Sequence, residues 1–283
     1  MFKIIRLNGY SILRQLQIEE SLYRNVNIKD NWLILNKGTP TPMIIVGASG
    51  KVDKLVDLDL LEKLNRDRVK QGHLPISIIK RYTGGGTVIV DENTIFCSMI
   101  MTKQFIHDNP IQEHLSKKEL HQYYPKDIMK WSAEWYKHVF THDQFLLSDN
   151  DYTFSDKKFG GNAQAFSRHK FVHHTSFLYD YDHNLMNLLK QPEKIPEYRQ
   201  NRSHFDFLVK LSTIYPSKDE ILHAIENSTE KLFGIKGNNQ ITKHDFKDFI
   251  KDYNYYSNTN QIYNVISNTW DNIDHHPERN GSS

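Results

Sequence analysis

One cysteine, Cys97, stands among 283 residues, so no intramolecular disulfide forms and a reducing compartment fits best. Net charge is as scarce. A formal +2 is too small a field to recruit nucleic acid or an anionic membrane. No apolar run approaches the length of a membrane span. The opening MFKIIRLNGYSILRQLQIEE lacks a long apolar core and a small-residue cleavage site, which predicts neither a secretory signal nor a transit peptide. The expectation is a soluble intracellular protein, cytoplasmic or mitochondrial, with neither nucleic acid nor membrane as partner. The fifteen histidines scatter without forming a spaced set with cysteine, so no metal site is assigned.

What is present reads as an ordinary globular chain, 38% hydrophobic and 25% charged. From Ser11 to Arg24, Ile12, Leu13, Leu16, Leu22 and Tyr23 recur at helical spacing with Glu19 and Glu20 between them, which predicts an amphipathic helix. Asn31–Asn36, Pro42–Ala48, Ile76–Tyr82, Thr87–Val90 and Thr94–Met101 read as strands, and Leu58–Gln71 and Pro125–Phe140 as helices. Tyr152–Phe154 and Thr175–Tyr179 are short strand candidates flanking a Gly-containing loop. Ser217 and Glu220 are spaced as a capping box, and Gly234 is a natural stop for the helix that follows them. Strands and helices mix without strict alternation, so the expected class is α+β, a mixed β-sheet packed with helices. One domain is expected over 1–235, followed by a polar extension over 236–283, partly helical and then disordered, too short and polar for a full accessory domain.

Three segments hold chemistry. In Lys80-Arg81-Tyr82-Thr83-Gly84-Gly85-Gly86-Thr87, glycines between β-branched strands bare backbone N–H groups to a ligand, and Arg81 is a permanent cation suited to carboxylate or phosphate. It is neither a P-loop nor a dinucleotide fingerprint, because no G-K-[ST] and no helix follows. In Lys157-Lys158-Phe159-Gly160-Gly161-Asn162-Ala163-Gln164, a lysine before two glycines places an ammonium beside a backbone nest. Val172-His173-His174-Thr175-Ser176 puts polar groups ahead of an apolar strand. Taken singly, these also read as a Gly-rich hairpin, a charged turn and a hydrogen-bonded histidine pair.

Their order and spacing resemble the lipoate-protein ligase family, in its eukaryotic-type branch. LRQLQIEESLYR is similar to that family's first helix, and PEYRQNRSHFDFL to its Y-R-x-x-R-x-H-x-x-F segment. The resemblance implies the biotin/lipoate protein ligase fold, class II synthetase-like. It also implies a two-step reaction, in which ATP activates the acyl carboxylate to an acyl-adenylate and a lysine of a lipoyl domain then attacks it. Carried across, Lys158 is the catalytic cation, while Arg81, Thr83, Gly84, Gly85, Gly86, Thr87, Gly161, Asn162, Ala163, His174 and Ser176 line the acyl-adenylate. ATP, Mg2+ and lipoate are the implied small-molecule partners. Lipoyl domains of 2-oxoacid dehydrogenase E2 subunits, or the glycine cleavage H protein, are the implied acceptors, with an accessory subunit as a further partner.

The chain also departs from the family pattern. Thr175 replaces the glycine of the bacterial H-H-G-[ST], and Val90 stands before Asp91 where the family has a strand-end H-D. Two alternatives stay open: an ATP-independent lipoyl or octanoyl transferase fed by a carrier protein, and a non-catalytic binder of lipoyl domains. Cys97, in an apolar strand, is expected to be structural rather than a thioester nucleophile. The biotin family's G-R-G-R-x-G loop is absent.

Overall fold

The computed structural model describes residues 2–25, 29–111, 115, 117–142, 144–191, 197–199, 202–235, 240–241, 261–264 and 269–272. In chain order the elements used below are β1 (Phe2–Leu7), α1 (Ile12–Arg24), β2 (Asn31–Asn36), β3 (Met43–Val46), α2 (Leu58–Lys70), β4 (Ser77–Lys80), β5 (Val88–Val90) and β6 (Thr94–Thr102). They continue with α3 (Pro125–Tyr136), β7 (Phe145–Ser148), β8 (Asp151–Phe154), β9 (Lys157–Phe166), β10 (Lys170–Leu178) and α4 (Lys218–Phe233). The last are β11 (Gln240–Ile241), β12 (Gln261–Asn264) and β13 (Thr269–Asn272). The class is the expected one, mixed sheet packed with helices.

Among the described residues the strands form two sheets. The larger runs β11-β1-β2-β6-β10-β9-β8-β7 and the smaller β13-β12-β4-β3-β5. β1 pairs in parallel with β2, and β3 with β4, while β7, β8, β9 and β10 form an antiparallel meander that β6 joins antiparallel along β10. The near-continuous apolar runs NWLILN of β2 and MIIV of β3 are buried throughout, as strands covered on both faces must be.

Helix α1 lies in the seam between the sheets. Its first turns, with Ile12, Leu13 and Leu16, pack on Met43, Ile45, Ile79 and Val90 of the smaller sheet. Its later turns, with Ile18 and Leu22, pack on Ile5, Trp32, Ile34, Ile100 and Val172 of the larger one. The outer face of the larger sheet is covered by α3 and α4, through Trp131, Trp135, Ile221 and Ile225. Ser217 Oγ accepts the Glu220 N–H at 3.2 Å, and Gly234 ends α4 in the left-handed conformation, φ 65°.

Two expectations meet a different outcome. The segment between the 152–154 and 175–179 strands is not a loop, because Lys157–Phe166 is a strand paired on both edges, with β8 and with β10. Cross-strand hydrogen bonds on two sides outweigh the weak strand preference of Gly, Asn and Ala. The glycine run is not a hairpin, since β4 and β5 both pair with β3 from opposite sides. Beyond residue 235, the described residues are strands: β11 joins β1, and β12 joins β4. The remainder of the expected extension lies outside the described residues.

Candidate active site

Because β4 and β5 flank β3, the segment 81–87 must cross the C-terminal end of β3. Gly47 stands at that end. A Cβ there would lie 2.2 Å from the Gly85 carbonyl oxygen, so the two backbones touch and only hydrogen fits. Gly85 has φ 120°, and a Cβ on it would meet Arg81 Nη2 at 2.8 Å and Ala163 Cβ at 3.0 Å. The Gly84 N–H donates to Gln164 O at 3.0 Å, which lays the run against β9. The outer sides of Gly84, Gly85 and Gly86 stay exposed.

Arg81 is buried beneath this crossing. Its Nη2 donates to Gly86 O at 2.6 Å and its Nη1 to Ile45 O at 3.5 Å. Burial pulls its guanidinium down to about 10 while the Glu19 charge opposes the shift, so it remains a cation at neutral pH. Arg81 Nε, the Tyr82 hydroxyl and Thr87 Oγ1 are buried without a hydrogen-bond partner among the described residues. Buried polar atoms nearly always have partners. Three orphans within 81–87 fit a stretch that completes its bonding with a polar ligand.

A bulge in β9 aims the lysine. Thr153 pairs with Lys158 but Tyr152 pairs with Gly160, which leaves Phe159 as the extra residue. Phe159 and Gly160 therefore both face the aromatic core, where a Cβ on Gly160 would stand 3.1 Å from the rings of Phe177 and Tyr152. Lys158 and Gly161 share the opposite face: a Cβ on Gly161 would lie 3.4 Å from Lys158 Cε and Nζ. The lysine side chain thus folds back over a bare glycine, and its ammonium pairs with Asp151 Oδ1 at 2.8 Å. Lys157 points outward, exposed.

The register of β9 with β10 sorts the remaining groups. Gly161 pairs with Ser176 and Ala163 with His174, all on the face toward α1; Asn162 with Thr175 and Gln164 with His173 lie on the other. On the α1 side His174 Nδ1–H donates to Glu19 Oε2 at 2.9 Å, and its Nε2 faces Thr83 Oγ1 at 3.5 Å. Ser98 donates to Glu19 Oε1 at 2.5 Å and accepts from Gln15 at 2.9 Å. Burial, opposed by Glu19, holds the His174 imidazole below its ordinary range and keeps it neutral at pH 7.

The family profile of the lipoyl protein ligase A/B catalytic domain matches residues 11–229. The chain belongs to this family. An inactive lipoate–protein ligase 2 of Plasmodium falciparum is 28% identical over 258 residues, covering 72% of this chain. The chain spans 62% of that relative's length. A lipoate-protein ligase A bound with ATP superposes with TM-score 0.61 at 17% identity, over 90% of this chain and 95% of that one. A bi-partite lipoate protein ligase from Thermoplasma acidophilum, studied with its E2 lipoyl domain, gives TM-score 0.61 at 17% identity, over 90% and 94%. These two likenesses show the fold.

The residues singled out from the sequence fall in two neighbouring groups, with one exception. Arg81, Thr83, Gly84–Gly86 and Thr87 form the crossing, while Lys158, Gly161, Ala163, His174 and Ser176 share the face of β9 and β10 below it. Asn162 departs. Its amide is turned to the opposite face, where its oxygen accepts from Thr175 Oγ1 at 2.6 Å and its nitrogen donates to Asn150 O at 2.9 Å. Only its carbonyl approaches the glycine run. Asp91 caps the β5–β6 turn, accepting from the Asn93 N–H at 2.8 Å.

Sequence reading missed Glu19, Gly47 and Asp151. Glu19 gave no signal, because its burial depends on α1 being enclosed by two sheets. Gly47 did give one, a glycine closing an apolar strand. Cys97 lies in the core with the Tyr136 hydroxyl donating to its sulfur at 3.2 Å. Burial pushes its thiol up to about 12, far from the thiolate a thioester mechanism requires. Among the described residues no helix is long and apolar enough to cross a membrane.

Proposed function

We propose that this chain is an ATP-dependent lipoate-protein ligase. It activates lipoate or octanoate to the acyl-adenylate and transfers the acyl group to a lysine of a lipoyl domain. The observation that carries this reading is the Lys158 ammonium, folded over Gly161 on the strand against which the glycine crossing lies. In the first step a carboxylate oxygen bonds to the α-phosphorus and pyrophosphate leaves. In the second the acceptor amine bonds to the acyl carbon, AMP leaves and the amine loses a proton. Both steps concentrate negative charge on oxygens at the junction of acyl carbonyl and α-phosphate, which a fixed ammonium stabilises.

The Arg81 cation and the exposed backbone of Gly85 and Gly86 supply charge and donors for the acyl carboxylate and phosphates. Mg2+ belongs to this reading as a partner of the triphosphate rather than as a resident ion. The acceptor in this reading is a lipoyl domain of an E2 subunit or an H protein.

A second reading, an acyl or lipoyl-domain binder without turnover, is favoured by the likeness to a relative named inactive. Incubating the chain with lipoate, Mg-ATP and an apo lipoyl domain, and weighing the acceptor by mass spectrometry, separates the two. A lipoyl mass increment that requires ATP supports the ligase. An unmodified acceptor that still co-elutes with the chain supports the binder. An increment obtained without ATP from an acylated carrier would replace both with a transferase.

A further inference from the structure

We propose that Tyr198 and Asp151 are a positioning pair that sets where the Lys158 ammonium stands, making Tyr198, Arg202 and Val209 part of the frame around the site. The proposal rests on the role given to Lys158 above. A lysine on its flexible stem has many rotamers, and an ion pair to a mobile, half-solvated carboxylate restrains it little. Here the carboxylate is fixed. Asp151, the first residue of β8 and nearly buried, divides its oxygens: Oδ1 takes the Lys158 ammonium at 2.8 Å and Oδ2 accepts from the Tyr198 hydroxyl at 2.7 Å. Burial and the facing carboxylate push the Tyr198 phenol up, so it stays protonated and donates at any pH the protein meets.

Tyr198 is itself anchored on the hairpin that bears Lys158. Arg202 Nη2 donates to the carbonyls of Tyr198, at 2.8 Å, and of Asp156, at 2.9 Å. Arg202 Nη1 also reaches the Asp156 carboxylate at 2.5 Å. Farther on, the Val209 N–H donates to Lys158 O at 2.9 Å, holding the lysine backbone from the same segment. Arg199 is buried against the Phe207 ring at 4.9 Å, which ties the residue next to Tyr198 to Phe207. An ammonium has three donors. One is committed to Asp151, and the other two remain for oxygens of a ligand over Gly161.

The test reads Lys158 in the ligand-free full chain. Lysines are reductively dimethylated with 13C-formaldehyde and a borane reductant, and the Lys158 resonance is assigned by its loss in Lys158→Arg. In Tyr198→Phe and in Asp151→Asn that resonance should move, with thermal melting checked for each; Asp151→Asn keeps the side-chain shape should Tyr198→Phe fail to fold. In turnover, Tyr198→Phe should lose roughly ten- to a hundredfold in kcat with KM for the acceptor unchanged, the cost of a misplaced catalytic group. A Lys158 resonance that superposes on the parent's in the folded variants overturns the pairing, whatever the rate does. Because it is read without substrate, the resonance decides the pairing even in a chain that never ligates lipoate, whereas parent turnover lost in Lys158→Ala bears on the ligase reading alone.

Discussion

The backbone of Gly47 lies against the Gly85 carbonyl so closely that a methyl group at position 47 would stand 2.2 Å from the oxygen. The glycine crossing is therefore set by β3 beneath it as much as by its own sequence. Gly47→Ala should lift the crossing, cost about 1–3 kcal/mol as an overpacked contact, and abolish binding of a lipoyl-adenylate analogue. Gly85→Val should act likewise, since φ 120° suits no L side chain and Arg81 Nη2 waits 2.8 Å away. Calorimetric titration checks both. Unchanged affinity in the two variants would reduce the run to a connecting turn.

Lys158 and its neighbour make a matched comparison. Lys158→Ala should lower both adenylate formation and transfer from supplied lipoyl-adenylate by about a hundred- to a thousandfold, the usual cost of one preorganised donor. Lys157→Ala, altering an exposed side chain, should stay within a few-fold of the parent. Equal losses in single-turnover assays of each half-reaction would indicate a diffuse basic patch instead of one aimed group.

Cys97→Ala should retain turnover. It removes a buried sulfur and the acceptor of the Tyr136 hydroxyl, a loss of about 1–2 kcal/mol in urea unfolding. A folded but dead Cys97→Ala, or an acyl-thioester trapped at that residue, would move the assignment to the transferase.

Acid should destabilise the fold through His173. Gln164 donates to its Nδ1 at 2.9 Å, and its Nε2 meets the Tyr152 hydroxyl at 3.1 Å, in a chain running on to Ser132 at 2.7 Å. Burial, helped by neighbouring His174, drives it from 6.5 to about 3. Its folded value lies below its unfolded one, so the neutral form's stability is whole above pH 6.5 and is lost progressively as pH falls toward 3. Each pH unit in that window removes about 1.4 kcal/mol, or about 2 kcal/mol by pH 5. His174 shifts in the same direction. Urea unfolding at pH 7.5 and pH 5 should show the slope in the parent, and His173→Gln should flatten it by about one proton's worth. An equal slope in the variant would place the acid sensitivity elsewhere.

Much of the fold was legible because its signals are local. The apolar run NWLILN names β2 to the residue, and the Ser217 and Gly234 caps bracket α4, since burial patterns and capping need only neighbours in the chain. The candidate site residues could be nominated by type, because a cation beside bare backbone is a chemical arrangement that spacing alone preserves.

The sequence by itself thus determined the mixed class and most of the elements, and it nominated Lys158, Arg81 and Gly84–Gly86 as candidates. Tertiary structure decided which way those residues face. Side chains alternate along a strand, so the single extra residue at Phe159 carries Lys158 and Gly161 to one side and sends the Asn162 amide to the other, and no local pattern announces such a slip. The same holds for Glu19. On an isolated helix it would face water, but α1 is enclosed by two sheets whose strands come from distant parts of the chain, and the carboxylate becomes the buried partner of His174.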